Sequence, residues 1–138
     1  MPDEKEAHRN RMRPERLLVA IGIVWGITGL VEPHLPNAGE PFSPIGMVQS
    51  LVTALLLFSW CKAHAEARSI KPPRGAPLLV GLIAPIGVPY YAFRGYGLRA
   101  GARLVGLALV ALAVFGAIYL ACFELSVWSA YLLTRVLR

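Results

Sequence analysis

The stretch PIGVPYYAFRGYGLRAGAR, residues 85–103, decides how this chain folds, because it joins two prolines, a tyrosine pair and three arginines without one acidic residue. Proline has no backbone N–H, and its ring clashes with the carbonyl four residues back, so Pro85 and Pro89 must bend or end any helix that carries them. The apolar run that leads into the stretch, LLVGLIAPIGVPYYAF from Leu78 to Phe93, is 16 residues long. That is near the lower limit for a helix crossing a hydrocarbon core about 30 Å thick. Two folds follow. Either the run is a third, kinked crossing, which is the reading favoured here, or it dips in and returns as a re-entrant hairpin.

Outward from this stretch the chain is mostly apolar. Hydrophobic residues make up 56% of its 138 residues and charged ones 16%, and its mean hydropathy is positive. Such a balance belongs to a bilayer rather than to water. The charges are concentrated in residues 1–16, 62–74 and 94–103, which leaves four apolar segments at about 17–31, 45–61, 78–93 and 104–123. The expected fold is therefore an all-α integral membrane protein. Residues 1–16 are a basic cytoplasmic segment, and residues 17–123 form a bundle of four membrane segments, the third broken by proline. The apolar run continues from Leu104 to Leu137, 34 residues interrupted by Glu124, a few hydroxyls and Arg135. This exceeds one crossing but is too short for two and a turn, so residues 124–138 are expected as a helical tail along the inner interface, where Trp128 and Tyr131 are at home. An Arg-rich start before an apolar run is also the general shape of a signal peptide, but no A-x-A site follows, so the first segment is taken as a permanent span.

Lysine and arginine near span ends favour the cytoplasmic side. Five lie before the first span (Lys5, Arg9, Arg11, Arg13, Arg16), none between residues 32 and 44, and four in the next loop (Lys62, Arg68, Lys71, Arg74). The N-terminus is therefore expected inside, in a bacterial inner membrane. With four crossings, Arg94, Arg99 and Arg103 fall outside, against this trend; as a hairpin, they fall inside.

The stretch also supplies the candidate contacts. Tyr90, Tyr91 and Tyr96 are expected as an interfacial aromatic belt, with Arg94, Arg99 and Arg103 meeting anionic lipid or an acidic partner. On the first span Gly22, Gly26 and Gly29 form one stripe, and on the fourth Gly106, Ala113, Ala117 and Ala121 form another. Such stripes let helix backbones approach closely, within one chain or between two copies. Glu124 lies eighteen residues after Gly106, five helical turns, hence on that second stripe. It is expected to face protein, as a candidate intramembrane carboxylate.

Little else points to chemistry. His8, His34 and His64 are placed at different depths, so no haem or zinc site is expected, and Glu32 with His34 gives at most a weak metal pair. Cys61 and Cys122 are expected as free thiols. No G-x-S-x-G, H-E-x-x-H or G-x-x-x-x-G-K motif occurs. The N-terminus mixes four acids with five bases, which suits anionic lipid better than nucleic acid. No catalytic, cofactor or metal residue is assigned, and no enzyme activity is expected. The reading is a non-enzymatic accessory or structural membrane protein that contacts lipid, a second copy or a larger complex. The alternative is a small dimeric proton-coupled transporter using Glu124 and the broken third span.

Overall fold

The computed structural model describes residues 13–36, 40 and 43–136. Among them are four α-helices, a short 3-10 turn and no strand: α1 (Pro14–Val31), the turn Glu32–His34, α2 (Pro44–Ala67), α3 (Ala76–Leu82) and α4 (Ala84–Val136). Three of these, α1 with its turn, α2 and α4, are long and apolar enough to cross a membrane. The protein is an all-α membrane protein. It divides into two compact units, one of Met1–Ala20 with Ala54–Val105 and one of Ile21–Thr53 with Gly106–Arg138.

Local chemistry sets the helix ends. Pro14 opens α1 with Glu15 in its first turn, where a missing N–H costs nothing and a carboxylate meets the positive end of the helix dipole. Ser43 caps α2: its hydroxyl oxygen accepts the Gly46 N–H at 3.1 Å, as an N-cap serine should. The far end of α2 closes in a Schellman turn. The Ile70 N–H donates to the Ala65 carbonyl and the Ser69 N–H to the Glu66 carbonyl, with Ser69 in the left-handed region at φ 52°.

In the first unit, the proline-rich segment is not one continuous helix. The α3 helix has only seven residues, about 10 Å of length, and the chain breaks at Ile83, whose φ of −136° and ψ of 70° are not helical. Pro85 explains the position of the break, since it offers no N–H to the Gly81 carbonyl and its ring would strike it. From Ala84 the chain reverses. The Gly87 backbone lies so close against Leu79 and Val80 that a β-carbon there would overlap their backbone atoms. Pro89 sits inside the returning helix.

Contacts with α2 fix the depth of this hairpin. A β-carbon on Gly81, near the turn, would meet the Ala54 carbonyl at 3.0 Å and Phe58 Cβ at 3.2 Å. Ala76, at the start of the first arm, is buried in one cluster with Trp60, Cys61, Ala65, Val80 and Tyr91, and Tyr91 and Tyr96 on the second arm reach His64. The hairpin thus enters and leaves at the Ala65 end of α2 and reaches down to Ala54, about 16 Å along the helix axis. The single kinked helix expected over residues 78–93 is thus a helical hairpin, the form that the re-entrant alternative requires. The reason is that two prolines four residues apart are separated by a glycine that lets the arms touch backbone to backbone.

A second break follows at Gly97, with φ 76° and ψ 179°, a region essentially closed to residues with a β-carbon. It divides α4 into residues 84–96 and 98–136, and the second part packs so closely on the first that a β-carbon on Gly101 would lie 2.9 Å from Ala92 and Phe93. From residue 98 the helix runs with no further non-helical residue to Val136. Residues 124–136, expected as part of an interfacial helical tail, are helical and continue this helix as far as the described residues extend.

In the second unit, α1 packs on α4 through its glycines. A β-carbon on Gly29 would lie 2.5 Å from the Tyr119 carbonyl oxygen and 3.2 Å from Cys122 Cβ, while Gly22 faces Phe115 and Gly26 faces Ile118 and Cys122. Trp25 adds a tilted contact with Phe115 at 6.3 Å between ring centroids.

Gly87 separates the two folds by experiment. In a continuous kinked crossing, Gly87→Ala would stabilise the helix by about 1 kcal/mol. In the hairpin it overpacks the contact with Leu79 and Val80, so the expected result is a loss of about 1–3 kcal/mol or more, measured as a lowered midpoint of denaturant unfolding in detergent. Gly97→Ala has open space around its methyl and is expected to cost about 1–3 kcal/mol through backbone strain alone, read in the same assay.

Candidate functional site

Polar side chains within apolar helices are costly unless they find partners, so their placement shows what each unit is built around. In the first unit three groups form a closed ring. His64 Nδ1 lies 3.1 Å from the Tyr91 hydroxyl and 3.0 Å from the Tyr96 hydroxyl, and the two hydroxyls are 3.2 Å apart. With one proton on each hydroxyl, a neutral His64 accepting at Nδ1 lets one tyrosine donate to the imidazole and the other to its neighbour. Trp60 stacks on His64 at 5.0 Å and meets Tyr91 edge-on at 6.5 Å. Tyr91 is fully buried, so this ring ties α2 to the returning arm of the hairpin.

The tyrosines therefore do not act as a group. Tyr90 is partly exposed, as a belt residue should be, but Tyr91 is not at the lipid surface and Tyr96 is half-buried against His64. The expected three-tyrosine belt is corrected on this point: a residue at the level of His64 lowers its own cost by bonding the imidazole instead of facing lipid. Arg94, Arg99 and Arg103 are all exposed.

In the second unit the polar groups clasp α1 to α4. Tyr119 donates to Glu32 Oε2 at 2.6 Å, and Glu32 is buried, at 7% exposure. Ser126 donates to the Leu30 carbonyl at 2.8 Å. Its oxygen lies 2.8 Å from His34 Nε2, and because the hydroxyl proton is already committed, the imidazole N–H is the donor in that bond. The residues weighed as a weak metal pair, Glu32 and His34, thus each bond a different residue of α4. Among the described residues no group of three or more His, Cys, Asp or Glu could hold a metal ion. Cys61 and Cys122 are free thiols.

Two expectations on α4 change. Gly22, Gly26 and Gly29 do form a packing face, but the surface opposite them is Phe115, Ile118, Tyr119 and Cys122. Gly106, Ala113, Ala117 and Ala121 are exposed on α4. The glycine face of α1 is filled by the α4 backbone at Tyr119 and by the side chains of Phe115, Ile118 and Cys122. Glu124 is exposed as well and so does not face protein within this chain. It lies between Tyr119 and Ser126, whose partners are Glu32 and Leu30, and hence at the level where α1 ends.

His64 and Trp60 were not linked to each other in the sequence, Glu32 was weighed only with His34 as a metal pair, and Tyr119 and Ser126 were not singled out. Their signal was present for the first two: Trp60 and His64 are four residues apart, one turn of a helix, and close to the predicted end of the second span. No protein-family model, curated protein or solved structure matches this chain.

The ring in the first unit predicts coupled energetics. His64→Leu and Tyr96→Phe should each destabilise the fold, and the double variant should be less damaged than the sum of the two. The expected coupling is about 0.5–3 kcal/mol, obtained from a double-mutant cycle of unfolding in detergent.

Proposed function

We propose that this chain is a small, multi-pass, non-enzymatic protein of a bacterial inner membrane, an accessory or structural component whose basic face contacts anionic lipid or a larger membrane complex. The observation that carries the reading is the return of the hairpin to the end of α2 from which it started. With the N-terminus inside, α1 crosses outward, α2 crosses back, the hairpin re-enters from within and residues 98–136 cross outward. Arg94, Arg99 and Arg103 then join the basic residues of the N-terminal segment and of the loop after α2. Twelve lysines and arginines lie inside, and two, Arg135 and Arg138, lie outside. The one loop that opposed the positive-inside trend now agrees with it.

Charge distribution supports a contact role for the basic side. In the first unit the described charged residues are Arg13, Arg16, Lys62, Arg68, Lys71, Arg74, Arg94, Arg99 and Arg103 against Glu15 and Glu66. In the second they are Glu32, Glu40 and Glu124 against Arg135. The polar clusters of both units are occupied in holding helices together, which favours scaffold over catalysis. The transport alternative loses ground because Glu124 is at the level of the α1 terminus and exposed, where a carboxylate is hydrated at little cost.

Topology reporters test the reading. Reporter fusions at the N-terminus and after Arg138 are expected to report opposite sides of the membrane, and a single cysteine at position 94 should be labelled from the N-terminal side. Termini on the same side would restore the four-crossing arrangement and remove the basic face.

A further inference from the structure

We propose that Arg99 and Arg103 form a docking surface for the phosphate of an anionic phospholipid; this rests on the topology above and narrows its contact to one chemistry. Both side chains are exposed, and neither is in an ion pair among the described residues. No acidic residue occurs between Glu66 and Glu124, so the chain supplies no nearby neutralising charge in sequence.

Arg99 and Arg103 are four residues apart on the continuous helix 98–136 and so share one face, a turn apart. Like charges at that spacing destabilise a helix unless an anion sits between them. Gly101 packs the first turn of this helix against Ala92 and Phe93; Arg99 and Arg103, two residues to either side of it, lie on the opposite, open face. Around Gly95 and Gly97 a β-carbon would have nothing within 4 Å, which leaves room for a headgroup beside the backbone.

Depth selects the source of the anion. Arg103 immediately precedes Leu104, where the uninterrupted apolar run begins, so its guanidinium reaches the level of the lipid phosphates with its methylene stem against the acyl region. A guanidinium presents paired N–H donors that match a phosphate bidentately, in a way an ammonium does not. The occupant is accordingly a phospholipid with a net negative headgroup.

The test uses the full chain reconstituted in vesicles of phosphatidylglycerol and phosphatidylcholine, with retained lipid identified by native mass spectrometry. Wild type should retain phosphatidylglycerol preferentially. Each arginine near an anionic surface strengthens association by about fivefold, so Arg99→Gln with Arg103→Gln should lower the preference by about thirtyfold. The Arg99→Lys, Arg103→Lys pair should keep part of the preference, because charge remains and the fork is lost. Unchanged elution and unfolding midpoint show that the variants are folded; if the double variant fails to fold, Arg103→Gln alone should show the fivefold loss. A fall smaller than about threefold in folded double variant overturns the proposal, as does full displacement of the lipid by millimolar inorganic phosphate, or co-purification of an acidic protein in its place. If lipid preference is unchanged while the topology reporters behave as expected, only this proposal fails. If position 94 is labelled from the C-terminal side, the topology fails first.

Discussion

Everything distinctive in this fold depends on the contact of the Gly87 backbone with the backbone of Leu79 and Val80. Two helical arms that touch without side chains between them can reverse within a few residues, and only glycine permits that approach. Pro85 supplies the other half of the constraint by preventing α3 from continuing past Ile83. In hydrocarbon a freed carbonyl has no water to bond, so irregular backbone persists only where protein covers it. Here α2 packs against one side of the turn, with Ala54 and Phe58 against Gly81.

From that reversal the remaining features of the first unit follow. The returning arm brings Tyr91 and Tyr96 to the level of His64, where three polar groups satisfy one another. Trp60 stacks over the imidazole and closes the cluster with an apolar ring. The second unit reaches stability by a different combination: a glycine groove on α1 filled by the large side chains of α4, locked by the Tyr119–Glu32 and Ser126–His34 bonds. The groove provides dispersion contacts, which in lipid have to replace the missing hydrophobic drive for helix association. The polar bonds fix rotation and register.

The membrane helices were legible in the sequence because length and hydropathy are enough to define them: the first and second spans fall within α1 and α2. So was the glycine face of the first span, because a spacing of three or four residues survives any tertiary arrangement. The choice between kink and hairpin was not legible. Both are compatible with Pro85 and Pro89, and the decision lies in whether Gly87 meets Leu79 across a turn, which spacing alone does not state. The partner of the glycine face was not legible for a related reason: Gly106, Ala113 and Ala117 mark where a helix could approach, and within this chain they are exposed. Tyr91 and His64 are 27 positions apart, and only the reversal of the chain brings them together.

The shortness of the two hairpin arms also bears on biogenesis. A nascent segment leaves the translocation channel for lipid when it is long and apolar enough to do so by itself, and α3, at seven residues, falls far below that length. The hairpin has to be laid down against an α2 already in place, its exposed carbonyls shielded as they form. Synthesis order provides this, since α2 precedes the hairpin in the chain and residues 98–136 follow to hold its open end.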